Sequence, residues 1–199
     1  MIEGNTDLRI IRTRKFIINS FIHLLEKKDF NSITIRDITS GAMINRATFY
    51  HHFVDKYDLL EKVIKEELMA NVLLELSNDH EFSEELLKRV FLSITKFHMS
   101  LSDRCQRSYH DMKMNIESII KKELEHIFFQ SLLKKYQVER SENLRIIATM
   151  LSWMIYAAVM DWKDRSSKSP EDYVEFAILS IRQLLKNEDI EKLGFRKMN

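Results

Sequence analysis

The stretch INRATFYHHFVDK, Ile44 to Lys56, places three aromatic residues, two adjacent histidines, an arginine and a lysine within thirteen positions. Read as a helix, it opens at Asn45, whose short polar side chain suits the N-cap, and runs from Arg46 to about Phe53. The 3.6-residue period turns Ala47, Phe49 and Phe53 inward and leaves Arg46, Thr48, Tyr50, His51 and His52 largely outward. One face is core and the other is a basic, hydrogen-bonding surface.

The flanking residues extend this pattern. Upstream, Thr34 followed by Asp37 reads as a helix start, because the threonine hydroxyl can accept a free backbone N–H and the aspartate sits at the positive end of the helix. That second helix is short, Ile35 to about Ala42, with Ile35 and Ile38 inward, and Met43 and Ile44 link it to the third. Asp55 and Asp58 cap a fourth helix running toward Leu76. Before them, a first helix from Leu8 to Lys28 carries Ile11, Ile18, Ile22 and Leu25 on one stripe, with Ile17, Phe21 and Leu24 beside it. Two short helices joined by a tight turn and braced by a longer one make a helix-turn-helix.

Composition agrees with an all-α chain. Among 199 residues there are three glycines and one proline, too few for the turns a sheet requires. Five further helical stretches follow, near 82–100, 103–112, 114–135, 141–164 and 170–187. Ser141 marks one start, and Ser169-Pro170-Glu171 another, with proline at the first helical position. Glu188 to Asn199 reads as a charged, loose tail. The most apolar run, Ile146 to Met160, is shorter than the roughly 20 residues of a membrane span and reads as a buried helix, so no membrane partner is expected. The single cysteine, Cys105, allows no internal disulfide and fits a reducing compartment such as the cytoplasm.

Charge is uneven. From Leu8 to Lys56 there are nine Lys or Arg and four Asp or Glu, a net +5 in a chain whose total is +1. Arg9, Arg12, Arg14 and Lys15 crowd the first half of the first helix, where the helix dipole favours acids. A basic N-terminal quarter on an otherwise acidic protein points to a negatively charged partner.

These residues carry a resemblance. TIRDITSGAMINRATFYHHFVDKYDLL, Thr34 to Leu60, resembles the DNA-binding segment of TetR-type transcriptional regulators, most closely at Thr34, Ala42, Thr48, Phe49, Tyr50, His52, Phe53, Lys56, Leu59 and Leu60. It departs at Met43, where that family usually has glycine. The resemblance implies double-stranded DNA as partner. Arg36, Arg46, Ala47, Thr48 and His51 would then lie over base edges or phosphate, with Asn45 at the start of the helix and Tyr50 and Lys56 on phosphates. It divides the chain into a DNA-binding domain, 1–56, and a regulatory and dimerisation domain, 57–199.

The C-terminal half is rich in methionine and aromatic residues, which line adaptable pockets and also fill ordinary cores. Phe91, His98, Met112, Trp153 and Tyr156 are the candidate lining for the small-molecule effector that the resemblance implies. Tyr156, Val159, Tyr173, Phe176, Ile181 and Leu184 on the last two helices offer more apolar surface than a small domain hides, and a homodimer through a four-helix bundle would cover it. Two symmetry-related recognition helices require a near-palindromic operator with half-sites about 34 Å apart. An operator released when an effector binds makes the protein a repressor. The other reading is a DNA-associated adaptor whose C-terminal domain binds a partner protein.

Rival chemistries fit less well. Adjacent residues on a helix point about 100° apart, so His51 and His52 cannot readily share a metal ion. No glycine-rich phosphate loop, paired catalytic carboxylates or nucleophile motif is visible, so no enzyme and no cofactor is expected.

Overall fold

The computed structural model describes residues 8–75, 81–137 and 140–186. Among them are eight α-helices and no strand: α1 Leu8–Lys27, α2 Ile35–Gly41, α3 Arg46–His52, α4 Lys56–Glu75, α5 Glu84–Arg104, α6 Gln106–Tyr136, α7 Glu142–Arg165 and α8 Pro170–Lys186. The stretches expected near 103–112 and 114–135 are one 31-residue helix that begins at Gln106. The tail from Glu188 onward lies outside the described residues.

The chain forms two compact units. The first holds Met1–Ile64 together with Ser100–Ile116, so the compact body around the helix-turn-helix extends beyond residue 56 and includes the start of α6. Its core contains Ile17, Phe21 and Leu25 of α1, with Phe30, Ile38, Phe49, Phe53, Leu59 and Leu60. The buried stripe of α1 is therefore 17, 21, 25, and Ile11 is exposed. Ala47, expected inward, is also exposed, while Phe49 and Phe53 are buried.

Local chemistry sets the short helices. Thr34 and Asp37 form a reciprocal capping box: Asp37 N–H donates to Thr34 Oγ1 at 3.2 Å, and Thr34 N–H donates to Asp37 Oδ2 at 3.0 Å. These hydrogen bonds from Thr34, backbone first, hold the Asp37 carboxyl below its usual range. The far end of α2 closes with two bonds, Met43 N–H to Ser40 O at 3.2 Å and Ile44 N–H to Thr39 O at 3.0 Å. This is a Schellman closure with Met43 in the left-handed region at φ 54°. Met43 takes the position that usually requires glycine, with its side chain 92% exposed. Gly41 serves a different purpose. A Cβ there would lie 2.3 Å from Ser20 Oγ, whose hydroxyl donates to Ile38 O at 2.9 Å, so glycine permits the close approach of α1 and α2.

The second unit holds Lys65–Met99 with Glu117–Asn199. Helix α7 is long and apolar enough to cross a membrane by length and composition, yet Leu144, Ala148, Leu151, Ser152, Ile155, Tyr156 and Val159 are buried within this unit. Ser141 caps α7 by accepting Leu144 N–H at 3.2 Å, and Ser169 caps α8 by accepting Asp172 N–H at 3.1 Å. Arg182 of α8 grips Glu84 of α5 with a two-point guanidinium fork, and Lys88 pairs with Glu175 at 2.6 Å.

Relief of the left-handed Met43 gives a direct test. Met43→Gly is expected to raise stability by about 0.5–1 kcal/mol, the cost of a side chain in that region less the extra flexibility of glycine. Chemical denaturation of the two proteins measures it, and an unchanged or lowered midpoint contradicts it.

Candidate nucleic-acid interface

Helix α3 has only seven residues, so its pose comes from its ends and its buried face. At the start, Asn45 Oδ1 accepts both Thr48 N–H at 2.8 Å and the Thr48 hydroxyl at 2.9 Å. Asn45 and Thr48 are thus tied to each other, and the threonine hydroxyl keeps only acceptor capacity for an outside group. Phe49 and Phe53 are buried and lie 5.7 Å apart, and Tyr50 meets Phe49 edge to face at 5.5 Å. At the end, Asp58 accepts Val54 N–H at 2.9 Å, while Asp55 accepts the N–H groups of Tyr57 and Asp58, each at 2.8 Å. Asp55 thus caps the first turn of α4.

What remains exposed is a compact set: Arg46, Ala47, Tyr50 and His51 on α3, with Arg36 on α2. The arrangement offers a guanidinium at the first helical position, a methyl-sized neighbour that lets a surface approach, a phenol 50% exposed and an imidazole. Such a surface can donate to acceptors on base edges and to phosphate oxygens.

The histidines divide in role. His51 is exposed, while His52 is half-buried with its ring 5.5 Å from that of His51 and 6.3 Å from Phe53. Burial, then the neighbouring His51 and Arg14, lower the His52 pKa and favour its neutral form. The two rings stand edge to face, and among the described residues no three His, Cys, Asp or Glu side chains converge as a metal site.

Lys56, a phosphate contact by the resemblance, has partners within the fold. Its ammonium donates to three backbone carbonyls, Phe30 O at 3.0 Å, Asn31 O at 3.1 Å and Ile33 O at 3.0 Å. The Phe30 and Tyr57 rings lie 4.7 and 5.6 Å from it. An ammonium has three N–H groups, and each already has an acceptor. The whole donor capacity of Lys56 is thus engaged with the backbone of residues 30–33.

In the second unit, the candidate ligand residues are only partly brought together. The His98 and Tyr156 rings lie 5.8 Å apart and both side chains are buried. Phe91 is buried and stacks on Tyr173 at 5.8 Å. Trp153 is 59% exposed, with the Lys121 ammonium 3.5 Å from its ring centre. Met112 belongs to the first unit, in the core there.

The candidate dimer residues also separate. Tyr156 and Val159 are buried within the chain and offer no surface to a second copy. Tyr173 is half-buried and donates its hydroxyl to Asp161 at 2.7 Å; burial first, then this bond, push its pKa up to about 12. Phe176 is exposed, and the side chains of Ile181 and Leu184 lie outside the described residues. The apolar surface that is exposed on α7 and α8 belongs to Ile146, Met150, Trp153, Phe176 and Leu179. Of this set only Phe176 was expected at the dimer from the sequence, because a helix that is apolar around most of its circumference does not reveal which side meets its own chain.

Residues 17–63 match the family model described as bacterial regulatory proteins, tetR family. The similarity to the tetR family thus lies in this N-terminal segment, which contains the helix-turn-helix. The HTH-type transcriptional regulator YxbF of Bacillus subtilis (strain 168) is 44% identical over 64 residues, which is 32% of this chain and 17% of that protein. The Transposon Tn10 TetC protein of Escherichia coli is 32% identical over 57 residues, 29% of each chain. The matched segment thus spans less than a third of either relative. A TetR transcriptional regulator from Streptococcus agalactiae shares the fold over 88% of this chain and 96% of its own, with a TM-score of 0.60 and 24% identity.

Proposed function

We propose that this protein is a TetR-type homodimeric transcriptional repressor that binds a near-palindromic DNA operator and leaves it when a small molecule binds its C-terminal domain. The observation that carries the DNA reading is the exposed face of α3: Arg46, Ala47, Tyr50 and His51 on a helix capped at its start and anchored by two buried phenylalanines. Arg46 and His51 lie over base edges, with Arg36 beside them from α2. Ala47 allows the close approach, and Tyr50 donates to a phosphate. Asn45 and Thr48 act mainly on each other and set the first turn of the helix. Genomic DNA as partner implies a cytoplasmic protein with no enzymatic role.

The exposed residues Ile146, Met150, Trp153, Phe176 and Leu179 support the dimer. Ile146, Met150 and Trp153 recur at helical spacing on one side of α7, and Phe176 and Leu179 on one side of α8. Two helices from each copy give a four-helix bundle that removes this surface from water. Effector binding is supported by buried polar side chains in an apolar core. Among the described residues the buried Thr95 hydroxyl has no hydrogen-bond partner; it lies on the same helix as His98 and three residues from it. An effector that favours the arrangement unable to bind DNA must weaken operator binding by the same factor as DNA weakens its own.

Selection of genomic fragments by the purified protein is expected to return a short palindrome. Retention of random fragments only would count against the assignment. On that DNA, Arg46→Ala should cost about 1–3 kcal/mol and relax preference at one position per half-site. Tyr50→Phe should weaken binding to every sequence by about 1 kcal/mol and leave base preference unchanged. Trp153→Glu combined with Phe176→Glu should yield monomers by light scattering. An intact dimer in that variant would assign the apolar face to another protein and favour the adaptor reading.

A further inference from the structure

The helix-turn-helix lies wholly between Ile33 and Lys56, and one side chain joins its two ends. Lys56 stands at the first position of α4, immediately after α3 and its cap. Its ammonium reaches back across the chain to Phe30 O, Asn31 O and Ile33 O, the residues just before the Thr34 cap of α2. These acceptors belong to a single 3₁₀ turn, Phe30–Ser32, and its C-cap Ile33.

The same turn is held from another direction. Asp111 of α6 accepts Asn31 N–H at 3.3 Å. One turn earlier, Arg107 donates to Lys27 O at 3.2 Å and Ser108 donates to Lys28 O. Burial disfavours the charged ammonium of Lys56, and the Asp111 carboxylate acts against that penalty. The linker from Lys27 to Ile33 is therefore gripped by α4 on one side and by the first turns of α6 on the other, all within one compact unit.

We propose that Lys56 is a positioning residue that fixes the distance between the two ends of the helix-turn-helix, with Asp111 as its charge partner, and that it makes no phosphate contact. This rests on the DNA-binding reading above. Its physical basis is the exhaustion of donors: a phosphate oxygen could take a Lys56 N–H only by displacing a backbone carbonyl. Losing the staple frees the linker, and α2 and α3 then sample poses in which Arg46 and Tyr50 no longer face the groove together.

Asp111 separates the possibilities by sign. A negative charge on a DNA-binding unit repels phosphate, so if Asp111 were only a surface charge, Asp111→Asn would tighten binding. If its charge offsets the burial of the Lys56 ammonium and so holds the staple, the same change weakens binding, because asparagine keeps an acceptor for Asn31 N–H and removes only the charge. The experiment titrates full-length wild type, Lys56→Met and Asp111→Asn against the selected operator at several salt concentrations, with thermal midpoints recorded in parallel. Both variants are expected to lose about tenfold or more in affinity. Their salt slope should match the wild type, and Lys56→Met should melt earlier. A salt slope reduced by about one in Lys56→Met with an unchanged midpoint would mark a phosphate contact and overturn the proposal. Tighter binding by Asp111→Asn would overturn it equally. Should the wild type retain no DNA, the DNA-binding reading fails on its own. The staple is then judged by the midpoint and by amide exchange at Asn31: faster exchange in Lys56→Met sustains it, and unchanged values remove it.

Discussion

A helix of seven residues cannot hold itself together in water, and both α2 and α3 are of that length. Nucleating a helix costs more than a few backbone hydrogen bonds return, so isolated helices become stable only above roughly 12–15 residues. Everything that lets this protein present a recognition surface follows from that shortage. The missing stability comes from side chains that satisfy helix ends and from aromatic rings that bury one face. Thr34 and Asp37 close the start of α2, and Asn45 closes the start of α3. The Schellman bonds at Met43 and Ile44 close the gap between them.

The aromatic residues supply the other half. Phe49 and Phe53 are buried beneath α3, and Phe21 and Phe30 meet edge to face at 6.3 Å in the same core. Burying a side chain of this size contributes roughly 1.5–3 kcal/mol, more than any single exposed ion pair in the unit. Anchoring through the inner face leaves the outer residues of α3 free of structural duty. Arg46, Ala47, Tyr50 and His51 can therefore be shaped by a partner alone. Thr48 and Lys56 are constrained as well by the fold, because their side-chain donors are engaged within it.

Much of this was legible along the chain because it is local. Caps, turn residues and helical spacing act within four residues, and the readings at Thr34, Asn45, Ser141 and Pro170 rest on that range. The strained turn at Met43 was legible for the same reason: a left-handed position shows wherever glycine is expected and absent. The union of two expected helices into α6 was less legible, since Met112 and its neighbours contain no breaker and only weak periodicity marks the phase. The burial of Tyr156 and Val159 was not legible, because a helix with apolar residues on most of its circumference does not say which side meets its own chain.

The sequence alone determined that the chain is helical, that residues 34–53 form two capped helices about a tight turn, and that a basic aromatic surface sits on the second. These depend on short-range steric and hydrogen-bonding rules. Tertiary structure decided the fate of groups whose partners lie far along the chain. Lys56 meets carbonyls 23 to 26 positions away, and Asp111 meets Asn31 across 80. A lysine in an aromatic, basic segment looks the same on the page whether its ammonium faces water, a phosphate or three carbonyls. Only the folded path of the backbone brings those carbonyls within 3 Å or so and turns an apparent phosphate ligand into a tie between the two ends of the motif.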